Sequence, residues 1–238
     1  LQASSTSSND TNIEACDDDG IEDGFYNFNL TNALDAILFG ISPDLDVTFY
    51  ETYDDALLED NALGTNFTNT TAYNQTIYAR VENMNACFGI SEIELTVFEL
   101  PNIVIQEDVY YCLNTFPQTI ILTGGLIDDT PNNYYYDWST GEDEFEIEVN
   151  EPGTYTVRVT STDGCFKDRT INVLASDIAT FTEIEVTDAT SNNTISVFVT
   201  GDGVYEYALD DPEGSYQESN IFENVSFGFH TVYVRDIE

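Results

Sequence analysis

The sequence predicts an all-β fold, made of about three antiparallel β-sandwich modules in tandem. Three observations support this prediction: short strands that alternate in polarity, turn-forming residues between them, and a motif that recurs every 77 or 78 residues. The alternation has a period of two, which is the period of a strand with one face in a core. One persuasive helical stretch interrupts the pattern, at Tyr53–Leu58.

The recurring motif is a strand that carries an arginine, and it occurs at Arg80, Arg158 and Arg235. Apolar neighbours of each arginine share one face of the strand. The arginine points to the other face, so we expect it to pair with carboxylates in solvent. Seven residues after the first two arginines stand Cys87 and Cys165, each reached through a polar turn. The same rule places a cysteine four residues beyond Glu238, so we expect the third module to lack its last strand.

Other strands show the same alternation, and many short strands with turns at this spacing predict immunoglobulin-like sandwiches. We expect a Ser-rich linker over residues 1–12, a first module over 13–100 and a second over 101–175. The third, incomplete module spans 176–238. The additional predicted strands cover residues 25–30, 47–50, 90–97, 119–123, 134–138, 145–149, 170–174, 195–199 and 204–209.

Charge limits the partners that the chain can have. Forty-five Asp and Glu residues against five Lys and Arg give a formal net charge of -40, which repels phosphate backbones and anionic membranes. Nucleic acid is therefore excluded as a partner.

No stretch of about eighteen apolar residues predicts a membrane span. Hydrophobic residues make up 42% of the chain and aromatic residues 13%, so we expect a folded protein, which divalent cations would help to compact.

The four cysteines fall two in each complete module. We expect one bridge between Cys16 and Cys87 and another between Cys112 and Cys165, each joining an early strand to the turn after an arginine strand. Such bridges imply an oxidising compartment and hence export. Zinc is disfavoured because the chain has no C-x-x-C motif and a single histidine, His230.

An acidic segment directly after Cys16 is a candidate calcium loop. Its carboxylates come from Asp17, Asp19, Glu22 and Asp23, with glycines that permit a tight turn. Hard oxygen ligands of this kind suit Ca²⁺. The alternative is a solvated acidic turn.

We find no sequence motif for catalysis. A nucleophilic serine or cysteine needs a base, and we expect His230 to be structural instead. We place Trp138 in the core of the second module, with stacking against a sugar as the alternative. The sequence therefore predicts a protein that is not an enzyme.

Several segments resemble repeats of a known family. Residues 15–20 (ACDDDG) and 75–83 (QTIYARVEN) resemble repeats in large gliding motility-associated surface adhesins of Bacteroidetes. The second module, with YDWSTGE at 136–142, is similar to the PKD-like and Ig-like repeats of the same proteins. In the third, YEYALD at 205–210 and HTVYVRD at 230–236 resemble modules that precede their sorting domain.

The resemblance implies a non-catalytic stalk or adhesion segment of a secreted protein, exported by the type IX secretion system to the outer cell surface. Its implied partners are the secretion machinery and an extracellular glycan or protein ligand, with self-association also expected. Two alternatives remain: spacer modules of a secreted hydrolase, or a filament subunit assembled by strand exchange.

Overall fold

The computed structural model describes residues 9–41, 43–82, 88–188 and 192–237. Strands dominate these residues, and the predicted class of all-β, immunoglobulin-like sandwich modules is confirmed. The chain separates into two compact units. The first unit is Leu1–Pro101 with Thr160–Phe166, and the second is Asn102–Val159 with Lys167–Glu238.

The described residues before Pro101 form six strands and two α-helices. The strands are β1 (Thr11–Cys16), β2 (Asn27–Asn29), β3 (Asp46–Tyr50), β4 (Asn66–Thr68), β5 (Asn74–Glu82) and β6 (Phe88–Phe98), and the helices are α1 (Leu34–Ile37) and α2 (Tyr53–Leu58). One sheet has the order β1-β6-β5-β3, and β2 pairs with β4 in another. The helix predicted from the sequence is α2, so that prediction is confirmed.

β1 lies parallel to β6, with Thr11 opposite Ile93 and Cys16 opposite Phe98. Parallel neighbours need a long crossover between them. Here the crossover includes β2 to β5, so the first and last strands of the sandwich meet side by side. Cys16, at the C-terminal end of β1, consequently lies beside the end of β6, the last strand of the sandwich.

The predicted linker over residues 1–12 is wrong for Thr11 and Asn12, which begin β1. Of the six residues in β1, only Ile13 is buried. The alternating pattern is therefore too short to identify this strand from the sequence. Residues 1–8 lie outside the described part of the chain.

The core of the first module lies between its two sheets. Ile77, Ala79 and Val81 of β5 are fully buried, as the alternation around Arg80 predicts. Phe28 of β2 and Leu95 of β6 complete the cluster from the two sheets. Burying a side chain of this size stabilises the fold by about 1.5–3 kcal/mol.

Arg80 does not lie in solvent, so the prediction of a solvated arginine is wrong at this position. Its side chain is buried because α2 packs on this face of β5. Nη1 donates to the carbonyl of Ala56 at 2.9 Å, near the C-terminal end of α2. The guanidinium also pairs with Glu59 at 2.8 Å and with Glu82 at 2.5 Å. A cation at a helix C-terminus is favourable, since the last carbonyls carry partial negative charge.

The second module repeats this strand order. Its strands are β7 (Gln106–Cys112), β8 (Ile120–Thr123), β9 (Tyr134–Trp138), β10 (Glu146–Val149), β11 (Gly153–Ser161) and β12 (Phe166–Ser176). One sheet is ordered β7-β12-β11-β9, and β10 pairs with β8. β7 lies parallel to β12, as β1 does to β6.

Trp138 is 2% exposed and lies in the core of the second module, so its predicted core position is confirmed. Its Nε1 donates to the carbonyl of Glu144 at 2.8 Å. A buried indole needs such an acceptor. Val157 and Val159 of β11 are buried in the same cluster.

The last five strands are arranged differently. They are β13 (Thr180–Thr187), β14 (Thr194–Thr200), β15 (Tyr205–Leu209), β16 (Ile221–Phe222) and β17 (Val232–Asp236). One sheet has the order β13-β14-β16, and β15 pairs with β17. β13 is antiparallel to β14, whereas β1 and β7 lie parallel to the last strands of their sandwiches. The third core cluster of buried residues is the smallest: Ile195, Val197, Tyr207, Phe222 and Val225.

Three separate hydrophobic clusters fall within the predicted ranges 13–100, 101–175 and 176–238. The compact units number two, with the second and third clusters together in the second unit. The division into three modules therefore stays a prediction, which the three cores favour.

Candidate functional site at the Cys16–Cys165 disulfide

A disulfide joins two cysteines that are far apart in sequence. Cys16 is the last residue of β1, and Cys165 lies in the turn between β11 and β12. The Cα atoms are 5.5 Å apart and the sequence separation is 149 residues. Both cysteines belong to the first compact unit, because Thr160–Phe166 is part of that unit.

The turn around Cys165 is closely held. The amide of Ser161 donates to the carbonyl of Cys165 at 2.8 Å, and that of Gly164 donates to the carbonyl of Ser161 at 3.0 Å. Gly164 adopts a φ of 89°, which favours glycine. Cys165 itself is fully buried, so the bond is shielded from solvent on this side.

The predicted pairing of the cysteines within each module is wrong. Cys16 bonds Cys165, and Cys112 has a free thiol. Cys87 lies outside the described residues. The prediction failed because it assumed that each bridge closes inside one sandwich. The turn that carries Cys165 belongs to the first unit instead, so it presents its cysteine to Cys16.

The acidic loop after Cys16 is closed by its own first carboxylate. Asp17 is 1% exposed, and its Oδ2 accepts a hydrogen bond from the amide of Gly24 at 2.8 Å. Its Oδ1 is buried without a hydrogen-bond partner among the described residues. Gly24 has a φ of 78°, and a Cβ there would lie 2.9 Å from the ring of Tyr73. Glycine is therefore required at this closure.

The structure does not bring the four predicted calcium ligands together. Asp19 Oδ1 accepts from the amide of Ile21 at 3.2 Å, and Asp23 Oδ1 accepts from that of Phe25 at 3.1 Å. These two carboxylates close local turns of their own. Across the described residues, no three acidic, histidine or cysteine side chains converge on a possible metal position. Calcium at Asp17, Asp19, Glu22 and Asp23 stays a prediction.

His230 joins two loops of the third module, in agreement with its expected structural role. Nδ1 lies 2.7 Å from Asp210 Oδ2, and Nε2 lies 2.8 Å from the carbonyl of Ser226. Both partners are acceptors, so the protonated ring donates to both. The hydrogen bond with Asp210 raises the pKa of His230 and, in turn, lowers the pKa of Asp210.

The two exposed arginines of the repeat pair across neighbouring strands, as predicted. Arg158 of β11 donates to both carboxylate oxygens of Asp168 on β12, at 2.8 and 2.9 Å. Arg235 of β17 donates to Glu206 of β15 at 2.8 Å. The pairing lowers the pKa of Asp168. Both arginine side chains are about half exposed, so these pairs contribute little to stability.

Arg169 is buried, a placement that we did not predict from the sequence. Its side chain is 2% exposed and pairs with Glu107. Nη1 donates to the carbonyl of Val104 at 2.6 Å, and Nε donates to that of Thr123 at 3.2 Å. Its position one residue from the exposed Asp168 is the one available signal, because neighbours on a strand point to opposite faces.

Within the described ranges, the structure contains no helix long and apolar enough to cross a lipid bilayer. The fold and the Cys16–Cys165 bond together define a class of protein: immunoglobulin-like sandwiches with a disulfide that links distant parts of the chain. Residues 12–101 match the model of a family described as the Flavobacterium inter-domain disulphide bond domain. The matched segment contains Cys16 and the strands β1 to β6. A search of the curated proteins found no match.

Solved structures of immunoglobulin domains and of an ectodomain are among those similar to the chain. The eight N-terminal Ig domains of Down Syndrome Cell Adhesion Molecule are 11% identical, with a TM-score of 0.32 and 82% of this chain covered. Sidekick-1 immunoglobulin domains 1-5 are 10% identical, with a TM-score of 0.33 and 95% covered. The human Desmocollin-1 ectodomain is 8% identical, with a TM-score of 0.28 and 96% covered. The chain spans 35%, 58% and 55% of these three structures, respectively.

Proposed function

We propose that the chain is a non-catalytic stalk and adhesion segment of a secreted protein of a gliding Bacteroidetes bacterium, exported by the type IX secretion system. The observation that carries this proposal is the Cys16–Cys165 disulfide. Structural disulfides persist in oxidising, extracytoplasmic compartments. The bond joins the end of β1 to the turn between β11 and β12, and a stalk needs such long-range connections to remain intact under load.

The position of the bond determines how tension would pass along the chain. A force applied at both ends enters through β1, crosses from Cys16 to Cys165 and leaves through β12. Nearly all of the first two buried cores lies in the closed loop between the two cysteines; the exceptions are Ile13, Ile171 and Val173. Tension along this path leaves the enclosed residues unloaded. The two enclosed modules therefore cannot be drawn out while the bond is intact.

The disulfide prevents a long stretch of the chain from extending under tension. An extended chain spans about 3.6 Å per residue, so the sequence separation of 149 residues corresponds to roughly 540 Å. The disulfide holds its two ends 5.5 Å apart. We infer that the oxidised stalk keeps its reach under a load that would extend the reduced chain several-fold.

The surface charge supports a role outside the cell. A net charge of -40 keeps such chains soluble and apart from one another and from anionic surfaces. The ligand that we propose is an extracellular glycan or protein, and the secretion machinery is the other partner. Calcium at the acidic loop would reduce the repulsion between its carboxylates.

The export route is tested on intact cells of the source bacterium. Brief protease treatment of whole cells is followed by non-reducing peptide mapping, in wild type and in a strain without the type IX translocon. We expect linked Cys16 and Cys165 peptides from the wild-type surface, and their loss from the surface of the mutant. Reduced cysteines in a cytoplasmic fraction of both strains would contradict the proposal.

A further inference from the structure

A cleft with aromatic walls opens on the surface of the second module. It lies between the short 3₁₀ helix Pro131–Asn133, directly before β9, and the loop that precedes β10. Its volume of about 320 Å³ is at the lower end of the range of roughly 300–1,000 Å³ for small-molecule sites, so it accommodates one side chain or one small ring. Among the residues that line this aromatic cleft, three are aromatic and three have polar side chains: Tyr134, Tyr136, Phe145, Asn132, Asp143 and Glu144.

The walls of the aromatic cleft are held in place by β9. Trp138 Nε1 donates to the carbonyl of Glu144 at 2.8 Å, and the amide of Trp138 donates to the carbonyl of Glu142 at 3.0 Å. The rings of Tyr136 and Phe145 meet edge to face, with centroids 5.5 Å apart and planes at 65°. Because these groups are fixed before a ligand arrives, binding costs little further loss of side-chain entropy.

The two tyrosine hydroxyls of the aromatic cleft already donate their protons within the protein. The Tyr136 hydroxyl donates to the carbonyl of Pro131 at 3.0 Å, and the Tyr134 hydroxyl donates to the carboxylate of Asp129 at 2.5 Å. Burial raises the pKa of Tyr136 to about 12, and the charge of Asp129 adds to the shift, so this phenol stays neutral at physiological pH. The Asn132 amide is the third and last side-chain donor among the residues that line the cleft.

The aromatic cleft therefore offers a ligand mainly acceptors and negative charge. Asp143 and Glu144 are exposed carboxylates, which only accept hydrogen bonds when ionised. The net charge of -40 attracts cations to the surface and disfavours a second copy of the chain as the partner. A sugar hydroxyl is both donor and acceptor, whereas a lysine ammonium has three donors and no acceptor. The lysine side chain is the better match to this cleft.

We propose that the aromatic cleft binds a lysine side chain of an extracellular partner protein. The aliphatic stem of the lysine contacts the aromatic rings, and its ammonium donates to the carboxylates of Asp143 and Glu144. Aromatic rings also attract a cation that lies over their faces. The proposal rests on the adhesion role proposed above for the protein source of the lysine, while the binding of an ammonium group to the cleft is independent of the export route.

The direct test titrates the purified full chain with Nα-acetyl-lysine amide at constant ionic strength. The readout is the indole N–H signal of Trp138, the one tryptophan of the chain, because this group donates to Glu144 beside the cleft. We expect a saturable shift of this signal. Nα-acetyl-norleucine amide lacks the ammonium and should bind about tenfold more weakly. Equal binding of the norleucine compound, or binding of glucose as tight as that of the lysine compound, would overturn the proposal.

A pair of variants tests the carboxylates of the cleft. Asp143→Asn combined with Glu144→Gln should weaken the binding of the lysine compound about tenfold, because two charged acceptors are lost. Glu185→Gln combined with Asp202→Asn is the matched control, since it removes the same charge from exposed positions of the third module. We expect the control to bind as the unmodified chain does. An equal loss in both double variants would mean diffuse attraction of cations to the acidic chain and would overturn the proposal.

A third variant tests the aromatic wall. Phe145→Leu keeps an apolar contact and removes the ring, so it should weaken the binding of the lysine compound about fivefold and leave that of the norleucine compound nearly unchanged. Trp138 fluorescence reports that each variant is folded. Unchanged binding of the lysine compound in this variant and in the Asp143 and Glu144 variant would overturn the proposal. Because purified protein is used, failure here leaves the export route untouched, and failure of surface display leaves the cleft untouched.

Discussion

The loop enclosed by Cys16 and Cys165 and the third module outside it are built from similar strands but are closed differently. Inside the loop lie two large cores, and the first strands of both sandwiches lie parallel to the last strands. The third module has five buried core residues, and β17 has β15 as its one strand neighbour among the described residues. The comparison concerns β6 and β12, the strands that follow the arginine strands β5 and β11, and what they contribute to the packing of their modules.

β6 and β12 supply a core face and an edge for the first strand of their modules. In the third module, the first strand β13 pairs with the next strand, β14. Its apolar residues Ile184 and Val186 lie opposite the buried Val197 and Ile195 yet are more than half exposed. Together with Val232 they line a groove in the third module. The third module thus differs from the other two in the partner of its first strand, and its core has fewer buried residues.

Two single residues report the two regions separately. The chain has one tryptophan, Trp138, in the core of the second module, and one histidine, His230, in the third. Tryptophan fluorescence and the imidazole NMR signal therefore follow the enclosed and the outer region in the same sample. A change that acts on one region should move one signal alone.

Removing the disulfide should give the largest difference. In the chain-entropy model a closed loop of 149 residues stabilises the native state by about 5 kcal/mol. Cys165→Ser should therefore lower the urea midpoint of Trp138 fluorescence strongly and leave the His230 signal unchanged. Cys112→Ser is the control and should alter neither. Equal shifts of both signals in Cys165→Ser would show that the bond acts on the whole chain.

Replacing the buried Arg169 should lower the free energy of unfolding more than replacing the half-exposed Arg158. Arg169 and Arg158 lie on the neighbouring strands β12 and β11, the first buried and the second half exposed. Arg169→Met leaves the carbonyls of Val104 and Thr123 without their donor, which should cost roughly 3 kcal/mol. Arg158→Met should cost much less, because the ion pair of Arg158 with Asp168 is exposed to solvent. Denaturation followed by Trp138 measures both, and similar losses would refute the assignment of Arg169 to the core.

Matched core truncations should reveal the weaker third module. Val157→Ala in β11 and Val197→Ala in β14 each remove a buried side chain, at a cost of roughly 2 kcal/mol. This loss of free energy should lower the denaturation midpoint of the second module, which has the larger core. The same loss should unfold the third module at room temperature. Amide exchange of β11 and β14 checks this. Equal residual protection would mean that the two cores are equally stable.

The smallest effect should be a pH dependence confined to the third module. His230 has a raised pKa, so its hydrogen bonds stabilise fully below its unfolded value of about 6.5 and are lost as pH rises through the folded value. Asp210 has a lowered pKa, so its contribution is present above about 3.8 and is lost as pH falls through the folded value. The bridge stabilises most between these limits.

The stability of the third module is measured across this pH range, with amide exchange of β15 as the readout. The measurement tests the bridge between His230 and Asp210. His230→Gln should flatten the loss of stability on the alkaline side and leave the Trp138 transition unchanged. An unaltered alkaline limb in the variant would assign the pH dependence to other groups.

Alternation predicted the strands with buried faces well. β9 coincides with the predicted 134–138, and β5 buries the three residues that its pattern selects. It missed β1, β7 and β13, the first strand of each module. β1 buries one residue and all of β13 is exposed, so an amphipathic pattern does not reveal their pairing partners. β1 and β7 pair with strands far along the chain, β6 and β12, whereas β13 pairs with the next strand, β14.

The candidate site was predicted in its parts and missed in its connections. Cys16 and Cys165 were singled out, but spacing alone does not say which of four cysteines pair. Asp17 was chosen for its charge, whereas the structure uses it to hold Gly24. Arg80 and Arg158 occupy equivalent sequence positions, and α2 buries one of them. Tertiary neighbours decide these outcomes, and they leave no local trace in the sequence.

The most direct test of the load path is single-molecule stretching of the chain held at its two termini, before and after reduction. With Cys16–Cys165 intact, we expect extension only of the chain outside the closed loop, which is β1, β12 and the third module. Reduction, or Cys165→Ser, should add about 530 Å of extension, from a sequence separation of 149 residues less the 5.5 Å already spanned. The same total extension in oxidised and reduced chains would contradict the account, because the disulfide would then carry none of the load.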